Sequence, residues 1–213
     1  MKTKLLNSIQ IDEIAAMLQE GQVVAFPTDT VFGLAVRYDS EDAITRLKEA
    51  KVRPDTKPLP MMVSNKNQIN SIAQVNEQAQ IIIDKWMPGA LTIVLKKQDS
   101  VPAFVTNGEE TIAIRMADDE FVIRLIEKVG VPLLVTSANI SGQSAATTSK
   151  ETFDQLDGRI DGIVEGDSKG GRASTILDLT EEEIKVLREG PITIDRVLYS
   201  IKEAREHEDR NRE

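Results

Sequence analysis

The stretch "DDEFVIRLIEKVGVPLLVTSANISG", residues 118–142, decides the fold class. Its first half is amphipathic, with Asp118 placed to cap an N-terminus and Gly130 placed to end the helix. "PLLVT" follows as a short apolar run and reads as a buried strand, and "SANISG" opens a loop of small residues. A helix, a buried strand and a polar loop in succession are the grammar of an α/β domain.

The same alternation extends in both directions. "IDEIAAMLQEG" (11–21) sets Ile11, Ile14, Ala15 and Leu18 on one helical face and stops at Gly21. "QVVAF" (22–26) reads as a strand running into the turn-like "PTDT" (27–30). "SEDAITRLKEAK" (40–51) predicts a helix capped by Ser40 that delivers Lys51 at its C-terminal end. "LPMMV", "ALTIVL" and "TIAIR" predict strands, and "NEQAQIIIDKWMPG" a helix stopped by Pro88 and Gly89. Further on, Thr148 and Glu151 form a capping-box pattern, "STILDL" and "EIKVLRE" a strand pair, and "IDRVLYSIKEAREHE" a last helix fading into charge. No repeat and no long linker interrupts this order. The expectation is one α/β domain over residues 1–200 and a charged tail over residues 201–213.

Composition removes much of the catalytic repertoire. The chain has no cysteine, so thiolate nucleophiles, disulfides and cysteine-ligated zinc are excluded, and a reducing compartment fits. Its one histidine, His207, lies in the charged terminal stretch, so neither a Ser-His-Asp triad nor a multi-histidine metal site can be built. No apolar run is long enough to span a bilayer and no secretion signal follows "MKTKLLNSIQ", so a cytoplasmic protein without membrane contact is expected. A net charge of -9 argues against broad nucleic-acid binding.

Against that acidic background, "KVRPDTKPLP" (51–60) sets Lys51, Arg53 and Lys57 among three prolines. Proline lacks an amide N–H and biases the preceding residue towards extended backbone, so these cations sit on a stiffened loop. The alternatives are a solvated surface loop or a preset cationic clamp. "PTDT" and "SANISG" each follow a strand and Arg115 ends another, so they are placed to meet at a crevice beyond the strand ends. Three loop cations with Arg115 and Arg188 suit an anion of several charges, such as a nucleoside triphosphate. Neither phosphate-binding glycine motif is present, and "GDSKGG" (166–171) reads as a turn or a mobile lid. Taken singly, Arg115 could pair with a surface carboxylate, and Ser137 or Asn139 could cap a turn. Trp86, Met61 and Met62 read as packing residues.

Seven segments, in order, resemble the YrdC/TsaC family of L-threonylcarbamoyladenylate synthases: "PTDTVFGL" (27–34), "KVRPDTKPL" (51–59), "WMPGALTIVL" (86–95), "IAIR" (112–115), "TSANISG" (136–142), "STILDL" (174–179) and "LREG" (187–190). The resemblance implies a single-domain, twisted open sheet of mixed strands with flanking helices around a positively charged central cavity. It implies a nucleotidyltransferase that joins L-threonine, bicarbonate and ATP into threonylcarbamoyl-AMP, with Mg²⁺ held mainly by the phosphates. The product would pass to the tRNA threonylcarbamoyl transferase complex for N6-threonylcarbamoyladenosine synthesis. By the family pattern, Thr30, Met62, Arg115, Ser137 and Ser174 would lie around threonine. Arg53, Lys57, Thr111, Asn139, Thr147 and Arg188 would lie around ATP, with Lys51 and Arg53 stabilising charge at the reacting centre. Met62 stands where many relatives have histidine, and Met116-Ala117 where many have a proline. With 23 residues after Gly190, the chain resembles the short form of the family. The competing readings are a non-catalytic RNA-binding protein of the same fold, or a carbamoyl-transfer domain of hydrogenase maturation.

Overall fold

The computed structural model describes residues 2–52, 59–170 and 172–212. In chain order the first half contains β1 (Lys4–Leu6), α1 (Ile11–Gln19), β2 (Val24–Phe26), β3 (Gly33–Arg37), α2 (Glu41–Lys51), β4 (Met61–Met62), α3 (Lys66–Ile72), α4 (Glu77–Trp86) and β5 (Leu91–Lys96). The second half contains β6 (Thr111–Arg115), α5 (Glu120–Val129), β7 (Leu133–Ser137), α6 (Ser149–Leu156), β8 (Gly162–Val164), β9 (Thr175–Asp178), β10 (Lys185–Arg188) and α7 (Ile194–Arg212).

The ten strands form one mixed sheet in the order β1-β8-β2-β3-β7-β4-β6-β5-β9-β10. Parallel pairs (β4 with β6, β5 with β9) are mixed with antiparallel ones (β3 with β7, β5 with β6), so distant segments of the chain become neighbours. Apolar side chains alternate between the two faces. On one face Leu34, Val36, Met61, Ile93, Ile114 and Leu134 meet helices α2, α3, α4 and α7. On the other, Phe26, Ala35, Met62, Leu133 and Val135 meet α1 and α5.

Local chemistry explains the helix boundaries. Ser40 Oγ accepts from the Ala43 amide at 3.3 Å, and Asn76 Oδ1 from the Ala79 amide at 2.8 Å. Helix α5 is capped by Asp119 rather than by Asp118: Asp119 Oδ1 accepts from the Val122 amide at 3.2 Å. With two adjacent aspartates the pattern alone leaves the register open by one residue, and Asp118 instead gives its amide to Asp29. Gly130 ends α5 at φ +85°, where a side chain would be strained. Thr148 caps α6 through the Glu151 amide at 3.1 Å, while the Glu151 carboxylate returns one residue further, to the amide and hydroxyl of Thr147.

Strands β1, β3 and β8 and helix α3 fall where the sequence pattern marks no element. All four are only three to seven residues long, which leaves little room for periodicity to register. Helix α7 runs unbroken across residues 200 and 201, into the expected tail. It is anchored by buried Val197 and Ile201, and Ser200 Oγ accepts from Trp86 Nε1 at 3.0 Å. The Arg196 guanidinium lies 4.9 Å from the Trp86 ring centre, so this indole is a packing residue as expected.

Candidate functional site

Helices α1 and α5 cover only part of their face of the sheet. Beyond them lies a cavity of about 510 Å³, lined by Ala113 and Arg115 of β6, Thr92 and Val94 of β5, Ile176 of β9, Val135 and Ser137 of β7 and Met62 of β4. Along β5 and β6 the contributing residues are two apart, the spacing of one sheet face, while β7 contributes Val135, Thr136 and Ser137 in succession. The site therefore lies over the sheet as well as at the strand ends. Among the described residues, none of those lining it belongs to a helix. Small side chains keep the space open: at Gly33 an added Cβ would stand 2.8 Å from Val135 Cγ1.

Arg115 is the polar centre of this cavity. It is 7% exposed, and Nη2 donates to Asp29 Oδ1 at 2.6 Å, Nη1 to Thr30 Oγ1 at 2.7 Å and Nε to the Gly89 carbonyl at 3.3 Å. These bonds use one N–H on each guanidinium nitrogen and leave a second on Nη1 and on Nη2 for a ligand. Burial lowers the Arg115 pKa, opposed by the charge and hydrogen bond of Asp29. The partner carboxylate is itself largely buried, its side chain 11% exposed. Asp29 and Thr30 belong to the turn after β2, which is fixed from within: Thr28 Oγ1 donates to the Val31 carbonyl at 2.7 Å and accepts from the Thr30 amide at 3.2 Å.

The 166–170 part of the expected lid rests on this turn. Ser168 Oγ accepts from the Thr28 amide at 3.3 Å, and the Ser168 amide donates to the Thr147 carbonyl at 2.8 Å. A Cβ at Gly170 would stand 2.8 Å from the Asp29 carbonyl oxygen and 2.9 Å from Thr30 Cα, so only glycine permits this approach.

Across the cavity, Arg188 ends β10 on the exposed rim. Its Nε donates to the Ser174 carbonyl at 2.9 Å and Nη2 to Ser174 Oγ at 3.1 Å; Ser174 and Thr92 share a hydroxyl–hydroxyl bond of 2.8 Å. Desolvation, then the charge of Arg115, lower the Arg188 pKa. Among the described residues that line the cavity, the ionisable ones are these two arginines.

Lys51 is placed differently. It is 2% exposed, and Nζ donates to the carbonyl oxygens of Ser137 (2.5 Å) and Asn139 (2.8 Å) and to Asn139 Oδ1 (3.0 Å). Asn139 Nδ2 donates to the carbonyls of Ile140 and Gln143, both at 2.9 Å, so this side chain knots its own loop together. Neither residue is among those lining the cavity.

Of the residues expected around threonine, Thr30, Met62, Arg115, Ser137 and Ser174 all line the cavity; of those expected around the nucleotide, Arg188 does. Thr111 is on the same sheet face as Ala113 and Arg115 but about 13 Å along β6 from the arginine. Thr147 lies under the 166–170 segment. Arg53 and Lys57 lie outside the described residues. Sequence reasoning missed Asp29, Thr28 and Thr92. Asp29 stood in the quoted "PTDT", but its partner is 86 residues away and the sheet order alone joins them.

A family model described as "Telomere recombination" (Sua5_yciO_yrdC) matches residues 16–190. A threonylcarbamoyl-AMP synthase of Bacillus subtilis is 39% identical over 90% of this chain and 56% of that protein. A putative threonylcarbamoyl-AMP synthase of Methanocaldococcus jannaschii is 33% identical over 92% of this chain and 98% of the relative. The chain thus spans a little over half the length of the Bacillus protein, and likewise of a Pyrococcus abyssi relative (57%). The crystal structure of P. abyssi Sua5 complexed with L-threonine superposes with a TM-score of 0.90 at 34% identity, covering 93% of this chain and 61% of that one. Escherichia coli YciO, at 23% identity and a TM-score of 0.83, shares the fold. By sequence and by architecture, this chain belongs to the Sua5/YciO/YrdC family.

Proposed function

We propose that this chain is a threonylcarbamoyl-AMP synthase, a nucleotidyltransferase that uses L-threonine, bicarbonate and ATP. The observation that carries the reading is the buried Arg115, with an N–H free on each terminal nitrogen, in a cavity ringed by the hydroxyls of Thr30, Ser137 and Ser174. That set suits a small amino acid: the guanidinium takes its carboxylate, the hydroxyls take its amine and side-chain oxygen, and Met62 and Val135 offer apolar contact to a methyl group. A relative whose solved structure holds L-threonine supports the same assignment.

The chemistry asks for positioning more than for proton transfer. The threonine amine attacks bicarbonate, and loss of water leaves a carbamate. A carbamate oxygen then attacks the α-phosphorus of ATP, and the bond to pyrophosphate breaks. Two anions must be brought together, so fixed cations and exclusion of water supply the rate. Arg188 on the rim faces the phosphates in this reading, and Lys51 holds the Ser137–Asn139 loop in shape. Mg²⁺ would be carried mainly by the nucleotide's phosphates, where it would neutralise their charge. The onward partner would be the tRNA threonylcarbamoyl transferase complex. Among the described residues no helix is long and apolar enough to cross a membrane.

The test is threonine dependence of pyrophosphate release in the wild type and in Arg115→Ala. The expected result is a threonine KM raised about tenfold or more. An unchanged KM would remove Arg115 from the threonine site, and RNA affinity without turnover would favour the RNA-binding reading.

A further inference from the structure

The two arginines of the cavity are balanced differently. Arg115 is matched by Asp29 at 2.6 Å, with side chains 9% and 11% exposed. Arg188 is held by the carbonyl and hydroxyl of Ser174, neutral acceptors that leave its charge undiminished. Asp29 does not line the cavity. It stands behind Arg115, takes the Asp118 amide at 3.2 Å with its second oxygen, and reaches the ligand space through the guanidinium.

Electrostatics gives this asymmetry a consequence. Attraction in a poorly solvated site grows with ligand charge, so an uncompensated buried guanidinium would hold a polyphosphate better than a carboxylate. A site discriminates by adding repulsion against the wrong ligand as well as attraction for the right one. We infer that Asp29 sorts the two substrates by charge: it leaves the Arg115 end of the cavity near neutral, so that an amino-acid carboxylate binds there while polyphosphate is kept to the Arg188 end. This deepens the synthase reading and rests on it for the identity of the two ligands. Asp29 is a positioning and charge-sorting residue that touches neither substrate.

The experiment is calorimetric binding of L-threonine to the full chain, with and without saturating pyrophosphate, in the wild type, Asp29→Asn and Asp29→Glu. In the wild type and in Asp29→Glu, pyrophosphate shifts the threonine Kd by less than about twofold, because the negative charge remains. In Asp29→Asn it raises that Kd about fivefold or more, and pyrophosphate alone binds more tightly than to the wild type. A merely structural Asp29 would weaken threonine binding in both variants and create no competition. Independent binding retained in Asp29→Asn, with unchanged pyrophosphate affinity, overturns the inference.

Should Asp29→Asn fail to fold, the wild type decides. Pyrophosphate must then bind without displacing threonine, and Arg188→Gln must weaken pyrophosphate alone. Displacement of threonine from the wild type overturns the inference. Absence of any threonine binding to the wild type sinks the synthase reading instead, and wherever Asp29→Asn does fold, its pyrophosphate affinity against that of the wild type still tests the charge effect.

Discussion

The ammonium of Lys51 is bound by both the carbonyl and the side-chain oxygen of Asn139, at 2.8 and 3.0 Å, so the end of helix α2 and the loop after β7 are a single buried unit. The Ser141 amide closes the unit by donating to the Lys51 carbonyl at 2.8 Å. Lys51→Met removes the donor shared by the two buried oxygens of Asn139, while the Ser137 carbonyl keeps the Asn139 amide. Its expected cost is about 2–4 kcal/mol in urea denaturation, since hydrogen bonds to charged groups are among the stronger ones. A change below about 0.5 kcal/mol would mean the loop holds its shape without the ammonium.

Arg115 and Asp29 couple stability to the site. Arg115→Ala strands a buried carboxylate, and the expected loss is about 3–5 kcal/mol. Asp29→Ala added to Arg115→Ala should restore part of it, because the stranded charge is gone. Additive single effects, within about 0.5 kcal/mol, would show that the two side chains do not stabilise one another.

Two glycines separate a steric role from a conformational one. Gly170→Ala drives a Cβ into the Asp29–Thr30 backbone, so threonine KM should rise about threefold or more by displacing Thr30 from Arg115. Gly142 has φ +90° and open space around it, so Gly142→Ala should cost about 1 kcal/mol of stability, read from the melting temperature. Equal KM effects in the two variants would contradict this division.

The acid side of the stability profile has a predictable component in Asp39. Hydrogen bonds from Arg37, at 2.6 and 2.9 Å, hold its carboxyl below the usual carboxylate range. A depressed folded pKa adds stability that is complete above the unfolded value and vanishes as pH falls through the folded one. The side chains are 28% and 33% exposed, so solvent limits the contribution to about 0.2–1 kcal/mol. Asp39→Asn should be less stable than the wild type by that amount near neutrality and equal to it once the wild-type Asp39 is protonated in both the folded and unfolded states. A gap that persists in acid would assign the effect to something other than the charge.

What was legible in the sequence was local. Ser40 and Thr148 announce their helices because a capping oxygen and the amide it satisfies are three residues apart. The β9–β10 pair announces itself because its strands are adjacent along the chain. The parallel neighbours β4–β6 and β5–β9 have no such signature, and they set Met62 beside Arg115 and Thr92 beside Ile176. The resemblance placed five cavity residues together, but not the carboxylate behind Arg115. It also set Asn139 beside the nucleotide, without showing that this side chain bonds Lys51 and the carbonyls of its own loop.

One measurement tests the account most directly: pyrophosphate release by the wild-type chain from ATP and Mg²⁺, with L-threonine and bicarbonate supplied separately and together, and L-serine in place of threonine. The expected result is release that needs both co-substrates and falls with serine, which lacks the methyl group that would face Met62 and Val135. Release indifferent to threonine and bicarbonate, or none from a folded sample, would contradict it.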